Sequence, residues 1–304
     1  MEYTYKTIRA IEFLNNYQQK DIEKNVKEYK EFLNALVEIQ QFIADSKVKF
    51  PNWKLAIDTM ITKSLLHCNS FVNLISGIDL DLEHFKDKNH KIIDIPSAYV
   101  LLRAQLENFL MIDFIYFQPQ NEDESKFRFN CWDYSSIKSV YKYKSYSSSK
   151  MIDFLNENES KLHELWAEIK ESRYYKMLSK DKRKRLEKRG DSRLGNSWDD
   201  MIKLSNLNPL LFGNLYSLLS KHAHSESIGI FQLKGLKLGF HNNHEQAYLI
   251  LLLSKSLICL LILRLKEYIK TAEIKYNSLN SKIQKDIEVH SMFIDKELLN
   301  KTST

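Results

Sequence analysis

Val100-Leu101-Leu102-Arg103-Ala104-Gln105-Leu106-Glu107-Asn108-Phe109-Leu110-Met111-Ile112-Asp113-Phe114-Ile115-Tyr116-Phe117 is apolar on nearly every side when wound as a helix. A helix of that kind belongs in a core. Pro96 opens the segment and Pro119 stops it, at boundaries where a missing backbone donor costs least. The composition of the whole chain points the same way. Only 7 Gly and 4 Pro serve 304 residues, whereas hairpins and sheets use both at turns and long helices exclude them. The expected fold is all-α, a multi-helix bundle with at most a short hairpin near 228–240.

Outward from that helix the same period recurs. Lys20 to Ser46 sets Ile22, Val26, Tyr29, Leu33, Leu36, Val37 and Ile43 on one side, with Lys and Glu opposite, which makes an amphipathic helix with one buried face. Pro51 opens a second helix that runs to Gly77, and a polar loop covers 80–94. Glu122, Asp123 and Glu124 supply the acidic first turn of a helix to Tyr146. Ser147-Ser148-Ser149 breaks and caps the chain before a helix from about Lys150 to Lys176. Trp198 to Leu204 reads as a short helix, Pro209 opens another, and Glu245 to Lys270 is the most apolar of all. Ile228 to Leu238, punctuated by Gly229 and Gly235, reads as a hairpin or an extended connection. The helices 52–77, 96–117, 209–224 and 245–270 carry the most apolar surface and the fewest charges, so they are the expected core. Three segments follow: an N-terminal amphipathic helical segment at 1–50, a helical core domain at 51–275, and a helical or disordered tail at 276–304.

The N-terminal MEYTYKTIRAIEF lacks the basic region, apolar stretch and small-residue cleavage site of a secretory signal, so a cytoplasmic protein is expected. Ala247 to Leu265 approaches the length of a membrane span, but Lys255 sits in its middle between Ser254 and Ser256; it reads as a central core helix, with no membrane partner. Cys68, Cys131 and Cys259 lie far apart and read as reduced core residues. Between Lys180 and Arg193 eight basic residues, Lys180, Lys182, Arg183, Lys184, Arg185, Lys188, Arg189 and Arg193, stand against three acidic ones. That excess accounts for most of the net charge of +6. The run is a solvated helix face, a nucleic-acid contact, or both in different states. Tyr141-Lys142-Tyr143-Lys144-Ser145-Tyr146 offers rings among cations that suit stacking on unpaired bases, although on one helix they face different ways and packing explains several of them.

Tyr216, Ser220 and His224 are spaced by four in Leu215-Tyr216-Ser217-Leu218-Leu219-Ser220-Lys221-His222-Ala223-His224, so on a helix they lie along one stripe. His224 comes at the end of that helix, where it serves either as a C-cap or as a general base or acid near neutral pH. Arg103 and Glu107 stand one turn apart inside the apolar helix, where unpaired charges are expensive. Arg before Glu is the less favourable order for an exposed helical pair. They are therefore read either as a buried strut or as part of a site. His222, His224, His241 and His244, with Glu226 and Glu245, invite a metal, but residues two apart on a helix point about 200° apart, and none of the familiar zinc spacings is present. No metal and no cofactor is expected. There is also no phosphate-binding loop, dinucleotide fingerprint, serine nucleophile elbow or Cys-His pairing.

Arg103-x-x-x-Glu107 in an apolar helix, the stretch Phe127 to Trp132, and Trp198 leading to Leu215-Tyr216-x-x-x-Ser220-x-x-x-His224 together resemble an uncharacterised group of bacterial all-helical proteins over roughly Pro51 to Lys266. That group is similar to the HEPN superfamily, whose active members are metal-independent ribonucleases that use an Arg, a few spacer residues and a His at a helix end. The resemblance implies a ribonuclease of toxin or defence type in which His224 takes the ribose 2′-hydroxyl proton. It departs from the pattern at Ser217, Leu218, Leu219 and Ser220, where no Arg precedes His224. Arg103 is expected to stand in from a neighbouring helix, with Glu107 orienting Arg103 or His224. Composite dimer sites in related folds make a homodimer an expected state. Some HEPN-like members are non-catalytic partners, which leaves a second function class: a helical binding or regulatory protein that engages a protein or nucleic acid. Exposure separates the two, because an enzyme needs Arg103, Glu107, Tyr216 and His224 open to solvent and a scaffold seals them in.

Overall fold

The computed structural model describes residues 21–78, 92–141, 149–224 and 244–295, together with Ser227 and Ile230. The protein is an all-α multi-helix bundle. Among the described residues no strand forms, and the extended pairings are two isolated antiparallel bridges, Ile78 with Ile92 and Leu207 with Asp295. The hairpin expected near 228–240 lies outside the described residues apart from Ile230.

The chain divides into two compact units. The first comprises residues 1–50, 57–110 and 206–304, and the second 51–56 and 111–205. The first holds α1 (Ile22–Asp45), most of α2 (Asn52–Ile75) and α3 (Ile95–Ile112), α10 (Pro209–Ala223), α11 (His244–Tyr268), α12 (Lys270–Ser278) and α13 (Ser281–Met292). Asp21 caps α1 by accepting from the Lys24 amide at 2.9 Å. Tyr29, Phe32, Leu36 and Ile39 of α1 are all essentially buried, and α1 packs on α11 and α12. Helix α1 of the expected N-terminal segment is thus part of the core, and not only the four helices expected from their apolar content. Lys255, at the middle of α11, explains why: its ammonium is 0% exposed and needs the carboxylate that Glu28 of α1 brings. By length and apolarity alone α11 qualifies to cross a membrane, and 78% of its most apolar stretch is buried inside the protein. Residues 281–292 of the expected tail form α13, which packs on α11 and α1.

The second unit holds α4 (Glu122–Tyr141), α5 (Ser149–Glu157), α6 (Glu159–Glu171), α7 (Arg173–Met177), α8 (Lys180–Arg189) and α9 (Trp198–Leu204). It also holds a single π-helical turn, Asp113–Phe117, in which the Gln118 amide reaches back five residues to the Asp113 carbonyl at 2.9 Å. Sequence period alone reads 96–117 as one regular helix; the π turn follows from tertiary contacts, since Ser125 of α4 donates to the Ile115 carbonyl at 2.7 Å and Arg128 to that of Phe114 at 2.7 Å. The helix expected over 150–176 is three helices. Ser172 takes an extended conformation and its hydroxyl accepts from the Tyr174 amide, ending one helix and starting the next. Gly190 ends α8 with φ +70, and a Cβ there would meet the Ser135 backbone at 2.8 Å. Only glycine fits that approach of α8 to α4. The three cysteines are free and buried.

Candidate functional site

Local chemistry sets up α10. The Asn208 side chain accepts from the Leu210 and Leu211 amides at 3.0 and 3.2 Å, and Pro209 occupies the first turn, where it lacks no needed donor. Phe212, Leu215 and Leu219 bury one side of the helix. It ends at His224, whose backbone leaves the helical region and whose amide still donates to the Ser220 carbonyl at 3.0 Å. Tyr216 and Ser220 are half-buried and His224 is exposed.

Across from it, α3 presents Arg103 and Glu107 one turn apart. Arg103 Nε donates to Glu107 Oε1 at 2.9 Å, Tyr216 Oη donates to the same oxygen at 2.9 Å, and Arg103 Nη2 donates to Tyr216 Oη at 3.2 Å. The guanidinium carbon lies 5.2 Å from the Tyr216 ring centre. These contacts close a three-residue ring. From it Arg103 Nη1 extends to His224 Nε2 at 3.3 Å. Because guanidinium only donates, Nε2 is the acceptor and the His224 proton in this arrangement is on Nδ1. The Arg103 and Glu107 side chains are 18% and 27% exposed, so the ring is accessible at the surface. Ser220 shares the stripe and takes no part in the ring.

Electrostatics follow from the contacts. Burial pushes the Tyr216 hydroxyl above its ordinary proton affinity, and the Glu107 carboxylate it donates to pushes it further. For Arg103 burial acts downward, but the bond to Glu107 and that carboxylate's charge outweigh it, so the guanidinium is held more firmly protonated. The group is therefore a fixed cation next to an imidazole.

The back of α3 is pinned. Gln105 Nε2 donates to the Ser254 carbonyl at 3.0 Å, Ser254 Oγ donates to Gln105 Oε1 at 2.6 Å, and Tyr29 Oη therefore donates to Ser254 Oγ at 2.6 Å. Asn108 Nδ2 reaches the Met60 carbonyl and Ser64 Oγ, both at 2.8 Å. All four side chains, Gln105, Asn108, Tyr29 and Ser254, are buried, and satisfied polar groups of this kind fix the rotation of a helix about its axis. Nothing in a single sequence marks Gln105 as different from a surface glutamine except its apolar neighbours.

His222 and His224 diverge as their spacing requires. The His222 ring stacks on Tyr99 with centroids 4.4 Å apart, whereas His224 faces Arg103. His241 and Glu226 lie outside the described residues.

A second polar cluster sits in the core of the same unit. Lys255 Nζ meets Glu28 Oε2 at 2.5 Å and Asn25 Oδ1 at 2.8 Å, and His290 Nε2 meets the same Glu28 oxygen at 3.2 Å. The sequence flags only Lys255, as a lone cation in an apolar run.

In the second unit α8 buries Leu186 and exposes Lys180, Lys184, Arg185, Lys188 and Arg189. Lys182 and Arg183 are half-buried: the Lys182 stem lies against Gly195 and the Arg183 guanidinium lies 5.9 Å from the Tyr175 ring centre. Arg185 pairs with Asp191 at 3.3 Å, and Arg193 lies 4.5 Å from the Trp198 ring centre. Lys180, Lys184 and Lys188 thus form one exposed stripe at four-residue spacing. Of the aromatic run at 141–146, Tyr141 donates to the Leu155 carbonyl at 2.6 Å, and 142–146 lie outside the described residues.

No family model, curated protein or solved structure matches the chain.

Proposed function

We propose that the protein is a HEPN-like, metal-independent endoribonuclease of the cytoplasm, of toxin or defence type, with His224 as general base and Arg103 as the phosphate-binding cation. The observation that carries this reading is the 3.3 Å contact between Arg103 Nη1 and the exposed His224 across two helices, which supplies the arginine that the residues just before His224 lack. Glu107 and Tyr216 hold the guanidinium in orientation. A phosphodiester that arrives at Arg103 draws its Nη1 hydrogen onto a non-bridging oxygen and frees the Nε2 lone pair. Nε2 then takes the 2′-hydroxyl proton, the 2′-oxygen bonds to phosphorus, and the bond from phosphorus to the 5′-oxygen breaks with a proton from water. The products are a 2′,3′-cyclic phosphate and a 5′-hydroxyl. A homodimer that completes the site from two copies belongs to the same reading.

A second reading has its own observation. Glu107, Tyr216 and His224 engage donors on every nitrogen of Arg103, as they would in a strut between helices of a non-catalytic protein that engages a regulator. Purified wild-type and His224→Ala protein, incubated with mixed RNA in chelator, separate the two. The expected result is cleavage of RNA and not DNA by the wild type, lowered about 10²–10⁴-fold in the variant. Equal cleavage by both proteins, or a requirement for a divalent ion, overturns the assignment; no cleavage by either selects the binding protein.

A further inference from the structure

We propose that α13 is a proton-controlled latch: protonation of His290 releases it from α1 and α11, and that release unfastens the start of α10. The inference stands whether or not the site on α10 cleaves RNA.

Helix α13 buries Asp286, Ile287, Val289, His290 and Ser291. The His290 ring is 5% exposed and meets Phe32 of α1 edge-on with centroids 5.3 Å apart. Its Nε2 donates to Glu28 Oε2 at 3.2 Å, the oxygen already held by Lys255. The charged groups facing the ring are Glu28 from α1, Lys255 from α11 and Asp286 from its own helix, where Lys282 pairs with Asp286 at 2.8 Å. From α12, Tyr276 points instead at the Gln284 carbonyl, at 3.1 Å. A proton added to this ring makes a second cation beside Lys255 in a space that excludes water. Burial first, and then the Lys255 charge, hold the ring down to about 4 against an ordinary 6.5, although Glu28 and Asp286 pull upward. Glu28 acts in the same sense: burial would raise its carboxyl, but the hydrogen bond from His290 and the charge and bond of Lys255 outweigh it and hold it below the usual range.

The sign follows from linkage. Between about 4 and 6.5 the released helix binds a proton at His290 and the docked helix does not. Docking is therefore independent of this proton above about 6.5 and weakens, roughly tenfold per pH unit for one proton, as the pH falls toward 4.

The mechanical link lies just beyond α13. The Ile294 carbonyl accepts from the Asn208 amide at 3.0 Å, and Asp295 forms the isolated bridge with Leu207. Arg264 of α11 meets the Asp295 carboxylate at 3.4 Å. Asn208 is the cap of α10. When α13 leaves the core, the two residues that hold this cap leave with it, and α10 carries Tyr216 and His224.

Hydrogen exchange on the full chain tests this, measured from about pH 7.5 to about pH 4.5 and corrected for the intrinsic pH dependence of exchange. Peptides covering 281–295 and 205–215 are expected to lose protection together, roughly tenfold per unit below about 6.5, while 57–75 keeps theirs. His290→Phe is expected to flatten the profile. His290→Gln, which keeps a neutral hydrogen-bonding side chain, provides the same comparison should the phenylalanine variant fail to fold. A flat wild-type profile, an unchanged slope in His290→Gln, loosening of 281–295 without 205–215, or equal loss across all three segments overturns the latch.

Discussion

The first unit contains two constellations built from the same parts, a cation, a carboxylate and a histidine, in opposite surroundings. Lys255, Glu28 and His290 join α1, α11 and α13 with the ammonium 0% exposed and the imidazole nearly so. Arg103, Glu107 and His224 join α3 and α10, with the guanidinium 18% exposed and the imidazole at the surface. Composition does not distinguish them; access to water does. In the core each member is needed to offset the desolvation of the others, so the cluster specifies which helices dock and in what register. At the surface solvent shares that task, and the imidazole stays open to water.

The difference breaks most sharply at the two cations. Lys255→Met takes a donor from Glu28, leaves it His290, and is expected to lower unfolding stability by about 2–3 kcal/mol, whereas Lys255→Met with Glu28→Leu recovers part of the loss, because an apolar pair avoids the desolvation of the fully buried ammonium but takes the acceptor from His290. Arg103→Met, in a partly solvated pair, is expected to cost no more than about 1 kcal/mol. Denaturant midpoints of the three variants check the contrast, and equal losses for Lys255→Met and Arg103→Met would remove it. A finer comparison uses the two tyrosines. Tyr29→Phe strips a buried donor from Ser254 and is expected to cost about 1–3 kcal/mol, while Tyr216→Phe removes a half-exposed hydroxyl and costs about 0.5–1 kcal/mol. Thermal melts resolve the pair.

The smallest effect on stability belongs to α8. Lys180, Lys184 and Lys188 changed together to Gln are expected to leave stability within about 0.5 kcal/mol. On the RNA reading they lower the salt slope of single-strand binding by about 2, since each phosphate contact contributes about 0.7. Lys182 and Arg183 changed to Gln leave that slope nearly unaltered, because their side chains already lie on Gly195 and Tyr175. Titration of a labelled oligonucleotide at several salt concentrations reads both, and an unchanged slope in the triple variant returns α8 to solvated surface.

By itself the sequence determined the helical class and the local pairs. Scarce Gly and Pro and a period of 3.6 are backbone properties, legible wherever the chain goes, and the same spacing put Arg103 over Glu107 and set Tyr216, Ser220 and His224 on one stripe. Spacing also predicted that His222 and His224 diverge. Tertiary structure alone decided what meets across elements. Tyr216 lies 113 residues from Arg103, and Lys255 lies 227 from Glu28, so no periodicity relates either pair. It also made α1 part of the core, put a π turn where 96–117 reads as one helix, and covered Lys182 and Arg183 within a run that looks uniformly exposed. The physical reason is common to all of these. Local propensity depends on a residue and its neighbours within a turn or two, whereas burial, and with it the strength of every charge and hydrogen bond, depends on which distant helix excludes the water.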